Sequence, residues 1–201
     1  MQRREALKRI SLVLGGALSA PTLAGVLGGC KAGPVDASYV PRTLTPEHYE
    51  LVTTLTELII PETDTPGATA AGVNTFIDVM LTEWYPVADR TRFLNGLETV
   101  DTRARNAYDA DFRACTADEQ VALLAVMDRE AFPDPETEPE AAAALRERLA
   151  QDDPPFFRIL KELTVSGYYT SEVGATQELR VMPMGPHRAD VPYDEIGRAW
   201  A

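Results

Sequence analysis

The chain has 201 residues and a formal net charge of −12, from 31 acidic side chains against 19 Lys and Arg. That length supports one domain with a sizeable core. The acidic balance excludes a nucleic-acid binder, which needs clustered basic groups to meet phosphates, and excludes a protein that lies on anionic lipid through a basic face.

The N-terminus is basic, with Arg3, Arg4, Lys8 and Arg9, and no charged residue occurs from Ile10 to Gly29. A basic start, an apolar run and a small-residue exit form the layout of an export signal. The run is a poor permanent membrane span, because Gly15, Gly16, Ser19, Pro21, Gly25, Gly28 and Gly29 dilute it and Pro21 interrupts a helix. Arg3 and Arg4, with Leu7 and Lys8, resemble a twin-arginine signal, a receptor-read address for folded proteins. Gln2 and Ala6 depart from the commoner Ser or Thr and Phe. Leu27-Gly28-Gly29-Cys30 resembles a lipobox, in which the cysteine is acylated and becomes the new N-terminus. The plainer alternative is a secretory signal with an accidental cysteine. The expectation is a twin-arginine lipoprotein signal over 1–29 and lipidation at Cys30. Acyl chains then hold the protein at the periplasmic face of the envelope. The leader carries net +3, which leaves −15 on the remainder.

Residues 30–44 hold Gly33, Pro34 and Pro41 with little periodicity, and read as a tether. Thr45-Pro46-Glu47 is a helix start, with Thr as N-cap and Pro at the first helical position. Leu51, Val52, Leu55, Leu58 and Ile59 follow at helical spacing, and Pro61 ends the run. After a turn-rich loop over 62–72, Val73, Phe76, Ile77, Met80, Leu81 and Trp84 predict a second helix that closes near Pro86. Phe93, Leu94, Leu97, Val100, Ala104 and Tyr108 predict a long third one. Thr116-Ala117-Asp118-Glu119 reads as a capping box before Val121, Leu124 and Met127. Pro139 opens an Ala-rich helix to about Ala150. Asp152-Asp153 before Pro154-Pro155 reads as the N-cap of a last helix bearing Phe156, Phe157, Leu160, Leu163 and Tyr168. Beyond Thr170 the period disappears, and Pro183, Gly185, Pro186 and Pro192 predict an extended tail. Leu179-Arg180-Val181 is a candidate short strand. The fold class is therefore all-α. A single helical domain of five to six helices covers 45–170, and a long irregular C-terminal arm covers 171–201.

Catalytic signatures are sparse. No Gly-rich phosphate loop, dinucleotide fingerprint or Cys-x-x-Cys-His occurs, so no cofactor is expected on this chain. His48 lies in a first helical turn beside Glu47, where solvation or capping is the usual role. His187 lies in the Pro-rich tail. Asp134, Glu136, Glu138 and Glu140 lack the calcium-loop pattern and read as a solvated acidic loop, with no metal expected. Cys115, the second cysteine, reads as a small buried hydrophobe, with a disulfide to a partner chain as the sharper alternative. Two loops stand out. Ile59 to Ala68 and Gly167 to Gly174 set turn-formers beside apolar or aromatic residues, which serves equally to fix helix geometry or to form an interface. The interface candidates are Pro61, Thr63, Asp64, Thr65, Pro66, Gly67, Tyr168, Tyr169, Thr170, Ser171 and Glu172, with His187 and Trp200 in the tail.

At these loops the chain resembles the gluconate 2-dehydrogenase subunit 3 family, the small subunits of exported flavin-dependent sugar or polyol dehydrogenases. The stretches that carry the resemblance are Ile59-Ile60-Pro61-Glu62-Thr63-Asp64-Thr65-Pro66-Gly67-Ala68 with Ala71-Gly72-Val73 and Phe76-Ile77-Asp78, then Phe156-Phe157 through Gly174, and Pro192-Tyr193 through Ala201. The resemblance implies a separate large subunit of the glucose-methanol-choline type that holds FAD, and a cytochrome c subunit with haem c that often takes the electrons. The small subunit would then act as an escort that supplies the export signal. Family members often carry a tail cysteine before the final Pro segment. His187-Arg188-Ala189-Asp190-Val191-Pro192 has none, which puts any disulfide from that position in doubt. Two other readings stand beside the accessory subunit. One is an envelope lipoprotein that binds proteins without a redox role. The other is a stand-alone periplasmic enzyme, which would need Glu62, Asp64 and His187 to converge.

Overall fold

The computed structural model describes residues 39–179, and these form an all-α domain. Its helices are α1 (Pro46–Ile59), α2 (Val73–Glu83), α3 (Val87–Tyr108), α4 (Ala117–Ala131), α5 (Pro139–Ala150) and α6 (Phe156–Thr170). A 3-10 turn at Phe112–Ala114 precedes α4, and a π-helical turn at Gly174–Glu178 follows α6. Among the described residues there is no strand, and none of the described helices is long and apolar enough to cross a membrane.

Local chemistry explains most of the boundaries. The Thr45 hydroxyl accepts from the His48 amide at 3.2 Å, and Pro46 follows it. Thr116 and Glu119 form the reciprocal capping box of α4: the Thr116 amide donates to the Glu119 carboxylate at 2.8 Å, and the Glu119 amide to the Thr116 hydroxyl at 3.4 Å. Gly72, at φ 74°, makes the left-handed turn into α2, a conformation that a Cβ disfavours.

Helix α6 is the centre of the domain and packs against α1, α2, α3 and α4. It buries Phe157, Ile159, Leu160, Leu163, Thr164, Gly167 and Tyr168, a stripe too wide for a surface helix. Close approach depends on small residues. A Cβ on Gly96 would collide with the Phe156 ring, and one on Gly167 would lie 2.6 Å from Cδ1 of Phe76. The Phe93 and Phe156 rings meet edge to face at 5.1 Å. Helix α5 buries only Ala142, so it is the most peripheral of the six.

Several expectations are corrected. The tether does not run free to Leu44, because residues 39–44 are bound to α2 and Leu44 is buried. Helical structure does not stop at Thr170: after a break at Ser171 it resumes and runs through Glu178. Proline and glycine spacing had marked that region as extended, yet the first of those breakers is Pro183. Leu179 is extended and unpaired with any strand, and 180–181 lie outside the described residues. Asp152 and Asp153 do not cap α6, whose N-cap is Pro155 with no side-chain bond. Asp152 occupies a left-handed turn at φ 54°, and Asp153 instead accepts from Arg148 at 3.0 Å. Val121 points to solvent, although it falls in the apolar run of α4. The third helix begins at Val87, a turn and a half before its first buried apolar residue, Phe93.

Candidate functional site

The loop between α1 and α2 is built around Glu57 in the last turn of α1. Its carboxylate accepts from the Glu62 amide at 3.0 Å and from the Thr69 amide at 2.8 Å, spanning the loop from both sides. The Ala68 amide closes the loop on the Ile60 carbonyl at 2.9 Å. A Cβ on Gly67 would strike the Glu57 carboxylate and lie 2.6 Å from the Glu62 nitrogen, so only glycine admits this closure. In the second loop, the Ser171 hydroxyl donates to the Tyr168 carbonyl at 2.6 Å and accepts from the Gly174 amide at 3.0 Å. This turns the chain back onto α6.

The two loops face each other. The Tyr168 hydroxyl donates to the Pro66 carbonyl at 2.9 Å, and the Thr65 hydroxyl to the Glu178 carboxylate at 2.9 Å. These bonds join residues more than a hundred positions apart in sequence. Thr65, Gly67 and Tyr168 are therefore buried inside the junction, and Pro66 and Ser171 are half-buried. Pro61, Thr63, Asp64, Tyr169, Thr170 and Glu172 remain exposed. The Tyr169 ring packs edge-on against Tyr168, with centroids 5.3 Å apart, so this exposed aromatic is held by a buried one. His187 and Trp200 lie outside the described residues, as do Arg3, Arg4 and Cys30.

A buried carboxylate in the middle of α2, Asp78 of the Phe76-Ile77-Asp78 stretch, gathers the chain that precedes α1. Asp78 is fully buried. Its Oδ1 accepts from the Thr43 amide at 3.0 Å and the Leu44 amide at 2.8 Å, and its Oδ2 from the Arg42 amide at 2.8 Å and the Tyr39 hydroxyl at 2.6 Å. Burial pushes the Asp78 carboxyl upward, but these four donors outweigh it and hold the group below the usual carboxylate range. Burial, followed by the bond to Asp78, pushes the Tyr39 phenol up to about 12. A signal was present: Asn74, Ile77, Asp78 and Leu81 share one helical stripe, and a carboxylate on a buried stripe requires donors.

Chemically reactive groups are not drawn together among the described residues. Glu62 and Asp64 are exposed. His48 is half-buried, with Nδ1 shielded and without a hydrogen-bond partner. No group of three or more His, Cys, Asp or Glu among the described residues is placed to hold a metal ion. A groove of about 250 Å³ between α1, α4 and α6 is lined mainly by Leu58, Ile59, Val121, Leu124 and Phe157, with the Asp128–Lys161 pair at 2.7 Å in its wall. Cys115 is half-buried and unpaired. Its thiol is pushed up by burial and by the Glu119, Asp101 and Asp111 carboxylates, away from the thiolate form.

The family model described as gluconate 2-dehydrogenase subunit 3 matches residues 46–185. The chain belongs to that family. The match takes in all six helices and both facing loops, and it stops short of the Tyr39–Thr45 segment and of the final Pro192–Ala201 stretch. No curated protein and no solved structure matches the chain. Membership makes the chain an accessory subunit of a dehydrogenase complex, with a dehydrogenase subunit as its partner.

Proposed function

We propose that the protein is the non-catalytic small subunit of an exported FAD-dependent sugar or polyol dehydrogenase complex. Its large subunit is of the glucose-methanol-choline type, and a cytochrome c subunit with haem c receives the electrons. In this reading Arg3 and Arg4 direct the chain through the twin-arginine route. Cys30 is acylated, and the complex is held at the periplasmic face of the envelope. A folded-protein route fits a partner whose FAD is loaded before export, since an escort bound to the folded flavoprotein carries the only address needed.

The observation that carries this reading is the junction of the two loops. The first two stretches that mark the family are bonded to each other through Tyr168 and Pro66, which holds in place the loops that carry the exposed Pro61, Thr63, Asp64, Tyr169, Thr170 and Glu172. A face held in its binding shape loses little conformational entropy on docking. An exposed tyrosine backed by a buried one gives rigid, amphipathic contact area. From the sequence alone we also assign His187 and Trp200 to the partner contact; both lie outside the described residues.

The test is purification of the tagged protein from solubilised membranes, with an absorbance spectrum of the eluate. A roughly equimolar larger chain with bound flavin is the expected result. Replacing Tyr169 with Ala and Asp64 with Lys should release the flavoprotein while leaving the helical circular dichroism unchanged. A colourless single chain from the unaltered protein removes the proposal. It would leave the envelope-binding lipoprotein as the better reading, or a stand-alone enzyme if the lone chain turned over sugars.

A further inference from the structure

The three most exposed large hydrophobic residues described are Val40, Trp84 and Val87, at 77%, 75% and 69% of their full accessibility. They belong to two segments that the structure fastens together. Val40 lies in the segment held by Asp78, and that segment continues to Arg42 and Thr43. The Arg42 guanidinium pairs with Glu83 at 2.6 Å, and the Thr43 and Thr82 hydroxyls meet at 2.7 Å. Trp84 follows Glu83 directly as the C-cap of α2, and Val87 opens α3.

Trp84 is not on a loose loop. Its amide and that of Tyr85 both donate to the Met80 carbonyl, at 3.0 and 3.1 Å, and Pro86 starts the next helix immediately. The turn therefore holds an indole out in water, where a solitary protein gains nothing from it. Of the charges beside it, Arg42 is matched by Glu83 and Arg92 by Asp89 at 2.8 Å, while Arg90, one turn after Val87, has no ion pair among the described residues.

We infer that the Val40–Trp84–Val87 end of the domain docks on the lipid surface, with Trp84 seated at the headgroup level. The inference rests on the acylation of Cys30 proposed above. Only residues 31–38 separate Cys30 from Tyr39, a chain that spans at most about 30 Å fully extended. Tyr39 is in turn bonded to Asp78 on α2, so an acylated Cys30 keeps the α2 side of the domain within that reach of the bilayer. Such a tether makes lipid contact an intramolecular event with high effective concentration. An amphipathic indole prefers the membrane–water interface. The paired charges of Arg42–Glu83 and Arg92–Asp89, with Arg90 beside them, suit a zwitterionic headgroup and its phosphate. This orientation leaves the loop face at Pro61 and Tyr169 to the flavoprotein.

The test uses the acylated protein, which begins at Cys30, with Trp200→Phe, which leaves Trp84 as its sole tryptophan. It is reconstituted in phosphatidylcholine vesicles with and without acyl chains brominated near the headgroup. Relative to a soluble Cys30→Ala reference, Trp84 should emit at shorter wavelength and lose intensity to the bromines, equally at low and high salt. Water-like, unquenched emission from the vesicle-bound protein overturns the inference. Shielding that arises only when the flavoprotein subunit is added, with no bromine quenching, also overturns it and makes the patch a protein interface. Mass spectrometry of the Cys30 peptide separates the two levels: an unacylated peptide defeats the anchor, whereas an acylated peptide with water-exposed Trp84 defeats only the docking.

Discussion

Asp78→Ala is the sharpest probe of how the segment before α1 is attached. Three backbone amides and the Tyr39 hydroxyl converge on the two oxygens of this buried carboxylate. If residues 39–44 stayed in place without it, each orphaned amide would cost about 1–3 kcal/mol. The segment has an easier response, which is to lift off and return its amides to water. That forfeits the charge-assisted bonds and the burial of Leu44, worth about 2 kcal/mol, but recovers about 1–2 kcal/mol of backbone entropy per freed residue. The expected destabilisation is therefore about 2–4 kcal/mol, below the sum of the individual bonds. Asp78→Asn keeps one carbonyl oxygen for Thr43 and Leu44 but loses the acceptor for Arg42, so it should cost about half as much. The pH dependence has a definite sign. A carboxyl held low in the folded state contributes stability that is present above its unfolded pKa of about 4, and that is lost as pH falls through the lower folded value. The gap between the wild type and Asp78→Asn should thus be full at neutral pH and close in acid. Urea unfolding across this range, with hydrogen exchange at the Arg42, Thr43 and Leu44 amides, reads both effects. Unchanged protection of those amides in Asp78→Ala, or a stability gap that widens in acid, would refute the reasoning.

The remaining predictions concern the loop junction and the cysteine. Gly174→Ala should be more damaging than Gly167→Ala, because its new Cβ meets the backbone carbonyl of Tyr168, whereas that of Gly167 meets the Phe76 side chain. Overpacking of this kind costs about 1–3 kcal/mol, and thermal unfolding of the two variants gives the order. Tyr168→Phe removes only the bond to the Pro66 carbonyl, so a loss of about 1 kcal/mol is expected, with faster amide exchange over 61–68. A variant as stable as the parent with an equally protected loop would show that the bond does not hold the junction. Cys115 should alkylate more slowly than a free cysteine peptide at neutral pH and accelerate only in alkaline solution, because its thiol is pushed up. An alkylation rate matching the peptide's at neutral pH would contradict that environment.

The helices were legible because their determinants are local. Thr45-Pro46, the Thr116–Glu119 box and the apolar spacing of α1 and α6 act within a few residues of themselves, and the structure keeps them. The family motifs in the two loops were legible for the same reason, being continuous strings. Their arrangement was not. Which loop residues serve inside the domain and which face outward depends on bonds between Tyr168 and Pro66 and between Thr65 and Glu178, whose partners no short window contains. Asp152 and Asp153 show the converse, since a valid local capping pattern yielded to Arg148 and to a left-handed turn. By itself the sequence determined an all-α chain, most of its helix starts and its family, all properties of short-range periodicity and of contiguous residues. Only the tertiary structure decided that two distant loops form one junction and that Asp78 gathers the chain before α1. Such contacts close long stretches of backbone, and their location depends on how whole helices pack.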